Sequence, residues 1–197
     1  MAEHLSNDAD PTGDLLLLVG PSVGLNPSQN GSIRVSSKVL SLASPVFATM
    51  MSPKFAEGQN AGKNDWTISP PDDDPEAMSV ICSVIHFVDV ASEVSFSILE
   101  KIATICDKYD FAKAIKGWSE SALQPWKYTL GTDRNEYDEC VQLLGISYLL
   151  GNHELFWVAS RNLMFSHTVP TMSAEKQYES AFAGIPEGLL RTTVTES

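Results

Sequence analysis

The sequence predicts an α+β fold in which a small sheet is capped by helices. Strand signals are confined to roughly the first 70 residues, and the apolar period is helical from there on. Three short strands cannot stabilise themselves without helical cover, so the helices must supply most of the core. The 197 residues suit one domain with an appendage, and a hydrophobic content of 43% is ordinary for a globular chain.

The first element is the apolar run Leu15-Leu16-Leu17-Leu18-Val19, stopped by Gly20-Pro21, which reads as a strand buried on both faces, although composition alone leaves a helix open. A Gly-, Pro-, Ser- and Asn-rich loop follows and ends in Asn30-Gly31, ahead of a second strand at Ile33-Arg34-Val35. From Lys38 the period becomes helical through Val39, Leu40 and Leu42. Ser44-Pro45 then supplies a cap and a first-turn proline for a second short helix carrying Val46, Phe47, Met50 and Met51. Phe47, Met50 and Met51 read as core. Trp66-Thr67-Ile68 gives a brief third strand.

Asp74 before Pro75 marks the start of a helix with a wide apolar face at Ala77, Met78, Ile81, Val84 and Ile85. Another starts near Ser95 to Ser97, with Ser97 and Glu100 as a capping box and Ile98, Ile102, Ile105 and Tyr109 as its stripe. Phe111 to Trp126 reads as a further helix ended by Pro125. After a polar break at Thr129 to Asn135, stripes through Val141, Leu144 and Tyr148 and through Leu155, Ala159 and Leu163 form an antiparallel hairpin turned at Gly151-Asn152. From Ser166 the chain is rich in Ser, Thr and Glu, with one apolar island at Ile185 to Leu190.

In their order and spacing, several segments are similar to the BTB/POZ family. They are Asp14 to Val19, Val35-Ser36-Ser37-Lys38-Val39-Leu40, Ala43-Ser44-Pro45-Val46-Phe47, Phe55-Ala56-Glu57, Asp72 to Met78, and Ile105-Cys106-Asp107-Lys108-Tyr109-Asp110. The resemblance spans roughly residues 13 to 125, and Leu149 to Phe156 looks like the helical extension of fungal members. It implies a small mixed sheet capped by a helical bundle, followed by a helical hairpin. The expected organisation is a disordered leader at 1–12, the BTB/POZ domain at 13–126, a helical extension at 127–167 and a tail, partly ordered at most, at 168–197. Two departures stand out. Ser36 occupies a position where the family often has His, and His86-Phe87-Val88-Asp89 replaces an aromatic-rich segment after the third helix.

The resemblance implies a non-enzymatic protein-interaction module, with the substrate adaptor of a cullin-type ubiquitin ligase as its specific version. Phe55-Ala56-Glu57 is similar to the hydrophobic-x-Glu segment that many such adaptors present to a cullin, which makes Phe55 and Glu57 the candidate partner-binding residues; the other reading of Phe55 is a loop residue tucked onto the core. The alternative function is a scaffold or transcription-associated oligomerisation module without cullin contact. Swapped dimers in the family usually carry extra N-terminal structure, whereas about a dozen polar residues precede Leu15, so a weak homodimer or a monomer is expected.

Other functions find little support in the residues. A net charge of -12, from 13 Lys and Arg against 25 Asp and Glu, without a basic run, argues against nucleic acid. The polar start lacks the pattern of a signal peptide and no apolar run approaches a membrane span, so the expected location is the cytoplasm or nucleus. Cys82, Cys106 and Cys140 read as reduced core thiols. His153-Glu154 opens like a zinc-protease helix, but Trp157 stands at the second ligand position. Gly58 to Lys63 is one residue short of a phosphate loop, and Asn64 replaces the magnesium-binding hydroxyl residue. Asp72-Asp73-Asp74 reads as helix-start charge rather than a metal site. The Asn30-Gly31-Ser32 sequon reads as a turn. No catalytic, cofactor-binding or metal-binding residue is therefore assigned.

Overall fold

The computed structural model describes residues 8–20, 31–63, 66–129 and 137–166. The chain divides into two compact units, Met1–Trp118 and Ser119–Ser197, with the division inside a helix.

Unit 1 is built on a three-stranded mixed sheet of order β2-β1-β3. Strand β1 (Leu15–Val19) runs antiparallel to β2 (Gly31–Val35), with Leu15 opposite Val35 and Val19 opposite Gly31. It runs parallel to β3 (Thr67–Ile68) through Leu16 and Leu17. The period of two shows in burial: Leu15, Leu17 and Val19 are fully buried while Leu18 is 42% exposed. The expected burial of β1 on both faces is thereby corrected: one face is fully buried, while the other leaves Leu16 half-buried and Leu18 exposed. The expected leader lies partly outside the described residues, at 1–7. Its residues 8–12 run beside β2, where Asp10 N–H donates to Arg34 O, Arg34 N–H donates to Asp8, and Ala9 is buried.

Helices α1 (Ser37–Ala43) and α2 (Pro45–Met50) follow β2. The start of α1 is capped from the foot of β1: Asp14 accepts from Ser37 N–H at 2.8 Å and from Ser37 Oγ at 2.7 Å. Burial alone would raise the Asp14 carboxyl, but these hydrogen bonds outweigh it and hold the group below the usual carboxylate range. Ser44 is fully buried and serves two partners. Its Oγ accepts from Phe47 N–H at 3.0 Å, the expected cap, and donates to Tyr109 O at 2.6 Å. Phe47 thereby meets Tyr109 and Phe111, with ring centroids 4.7 and 5.8 Å away.

Helix α3 (Pro75–Ile85) starts as expected, with Asp74 accepting from Ala77 N–H at 3.0 Å. Helix α4 (Phe96–Tyr109) is capped by Ser95, whose side chain accepts from Ile98 N–H. The Ser97–Glu100 capping box does not form, since Ser97 already lies inside the first turn. Asp110, at φ 57°, ends α4 in the left-handed region, so the chain does not run on as one helix from Phe111 to Trp126. It makes α5 (Lys116–Ala122) and α6 (Gln124–Thr129) instead. Pro125 sits in the first turn of α6, where its missing N–H removes no intrahelical bond, and does not end a helix as expected.

In unit 2, α7 (Tyr137–Leu149) and α8 (His153–Ser166) pack as the expected hairpin. Gly151 takes φ 66° and Asn152 caps α8 by accepting from Leu155 N–H at 2.9 Å. Val141, Leu144, Leu155 and Ala159 are buried between them. Lys127 of α6 pairs with Glu154 of α8. The expected tail at 168–197, its apolar island, the sequon's Asn30 and most of the polar break lie outside the described residues.

Candidate functional site

The segment after α2 turns back on itself. Ser52 N–H donates to Thr49 O, Phe55 N–H to Ser52 O, and both Gly58 and Gln59 N–H to Phe55 O. Gly58 is buried so closely that a Cβ there would lie 2.1 Å from Ser52 O and 2.5 Å from Met51 O, contacts that no other residue could make. A short 3₁₀ turn at Gly58–Asn60 continues the bend. The indole N–H of Trp66, itself buried, donates to Glu57 O at 2.7 Å. The result is a hydrogen-bonded turn from which Phe55 projects, 46% exposed, with Glu57 half-buried two residues on. Phe55 is therefore not tucked onto the core.

Phe87 and Trp157, to which the sequence assigns no partner-binding role, are also exposed apolar side chains. Phe87, 95% exposed, follows α3 with φ 60°, a conformation that bulky side chains rarely take. In sequence it is an aromatic residue two positions past Ile85, the last residue of the apolar helical stripe. Trp157 on α8 is 60% exposed, with the Arg161 guanidinium 5.5 Å from its ring centroid.

Two of the three consecutive aspartates, Asp73 and Asp74, hold structural bonds. Asp73 is buried, accepts from Tyr109 OH at 2.6 Å and pairs with Lys108 at 2.8 Å, while Asp74 pairs with Lys101 at 2.8 Å besides capping α3. Burial, with Asp73 adding to it, pushes the Tyr109 phenol well above its usual range, so the phenol remains a donor. Burial raises the Asp74 carboxyl, but the Lys101 ammonium and the cap bond prevail and lower it. An open cleft of about 680 Å³ runs along this cluster, lined by residues 72–76, Lys101, Thr104 and Ile105. Of its charged walls, Asp73, Asp74 and Lys101 are engaged in ion pairs, and Asp74 also caps α3.

Among the described residues, no three His, Cys, Asp or Glu side chains converge as metal ligands would. His86 bonds to Cys82 O and Ser36 N–H, and His153 opens α8 on the surface. The three cysteines are buried and not in disulfides, with the Cys82 and Cys106 thiols pushed up to about 12 by desolvation. Among the described residues, no helix is long and apolar enough to cross a membrane.

No family model matches the chain. No curated protein matches it.

Proposed function

We propose that this chain is a non-enzymatic protein-interaction module of the BTB/POZ type that serves as a substrate adaptor for a cullin-type ubiquitin ligase. The observation that carries the proposal is Phe55, which stands 46% exposed on a turn whose backbone is hydrogen-bonded at Phe55, Glu57 and Gly58. An aromatic side chain presented on an ordered backbone is the usual anchor of a protein interface, because little conformational freedom is lost when a partner pocket takes it. Covering the rest of a Phe ring is worth about 1 to 2 kcal/mol, or roughly tenfold in affinity. The element order, two strands, two helices, a third strand and then helices, is what the family resemblance implies and supports the same reading.

The test is a binding titration with a purified cullin N-terminal domain, comparing the native chain with a Phe55→Ala, Glu57→Lys double variant of unchanged circular dichroism. Binding by the native chain that the variant loses supports the adaptor reading. A native chain that does not bind removes it.

A second reading is a scaffold or oligomerisation module without cullin contact. The nearly complete exposure of Phe87, on a different element from the Phe55 turn, favours it. Under that reading the double variant keeps its partners.

A further inference from the structure

We infer that Trp66 is the positioning residue of the Phe55–Glu57 turn, transmitting the placement of the sheet to the side chains a partner would read. The inference rests on the reading of that turn as the partner contact. Trp66 is only 5% exposed and is held at both ends. Its carbonyl accepts from Leu16 N–H in β1 at 3.0 Å, and its indole N–H donates to Glu57 O at 2.7 Å. An indole has a single donor, so this N–H has one task, and here the task lies nine residues back along the chain.

The geometry explains why one bond matters. Phe55 O already accepts two N–H groups, from Gly58 and Gln59, each at 3.2 Å, and the bend closes only because Gly58 can press against the Met51 and Ser52 carbonyls. Those contacts are all local, within eight residues. The Trp66 bond is the long-range one, tying Glu57 to a residue adjoining the strand that pairs with β1. Without it the local bonds that Gly58 and Gln59 make to Phe55 O open more often, and the turn loses its orientation relative to the sheet. A partner then has to select the productive arrangement, at a cost in affinity.

The experiment uses the full chain with Trp66→Phe, which keeps an aromatic ring and removes the N–H. A second variant carries benzothienylalanine at position 66, which keeps the bicyclic shape and likewise removes the donor, should the smaller ring not fold. Two readouts are taken: amide exchange at Gly58 and Gln59 relative to β1, and the dissociation constant for a cullin N-terminal domain. The expected result is exchange faster by about tenfold at the turn with β1 unchanged, together with binding weaker by about fivefold. A purely structural role would accelerate exchange throughout unit 1 and leave the ratio unaltered, and that result overturns the inference. So does binding within about twofold of native in a variant whose turn has loosened. Failure of the native chain to bind overturns the adaptor reading and this inference with it, whereas native binding retained by both variants overturns this inference alone.

Discussion

The Nε2 atom of His86 accepts the backbone N–H of Ser36 at 2.9 Å, joining the end of α3 to the residue that precedes α1. Because Nε2 is an acceptor, the ring proton sits on Nδ1, which donates to Cys82 O at 2.7 Å. Ser36 and His86 lie 50 residues apart in sequence, and the fold brings them into contact.

Replacing His86 with Ala removes the acceptor of a part-buried N–H and the donor to Cys82 O together. A loss of about 1 to 3 kcal/mol in urea-induced unfolding is expected. Nitrogen chemical shifts of the native ring should show the Nδ1–H form, and an Nε2–H spectrum would contradict the assigned network.

The carboxyls of Asp14 and Asp74 are both held below their usual range, each at a helix start. A group whose folded-state value is depressed contributes stability that is present at neutral pH and is lost as the pH falls through that depressed value. The melting temperature should therefore drop below about pH 4, and drop less steeply in an Asp14→Asn, Asp74→Asn double variant. At neutral pH, Asp74→Ala should cost about 1 kcal/mol through the lost cap.

Phe87 occupies the position after a helix where glycine is usual, its N–H bonded to Val84 O and that of Val88 to Ser83 O. Its side chain buries almost nothing, so the left-handed backbone is a cost without a packing return within unit 1. Phe87→Gly should stabilise the chain by about 1 kcal/mol, seen as a higher melting temperature. A fall in stability would mean that the ring makes contacts in solution.

Cys82, Cys106 and Cys140 are buried and outside any disulfide, and desolvation raises all three thiols. A thiol reagent at mildly alkaline pH should leave the native chain unmodified and label all three after denaturation. Rapid labelling of the native chain would show that a helix opens locally.

Helix starts were the most legible features. Ser44-Pro45 and Asp74-Pro75 place a cap and a first-turn proline side by side, and both work as read. Ser95 and Ser97 show the limit of such reading. Either can cap, and the choice falls to Ser95 because α4 begins at Phe96 and must bury Ile98 and Leu99. For the candidate site, the hydrophobic-x-Glu spacing was readable but the posture of Phe55 was not. A phenylalanine in a polar loop can fold inward or stand out, and what holds its turn includes a bond from Trp66 and a close approach at Gly58.

By itself the sequence determined the α+β class, the order of the elements and most of their starts, because periodicity and capping are written within a few residues of each other. Only the tertiary structure decided that β1 buries a single face, that His86 serves Ser36, and that Phe55 and Phe87 face solvent. Burial of a side chain is set by neighbours supplied from distant parts of the chain, and no local pattern specifies which neighbours those are.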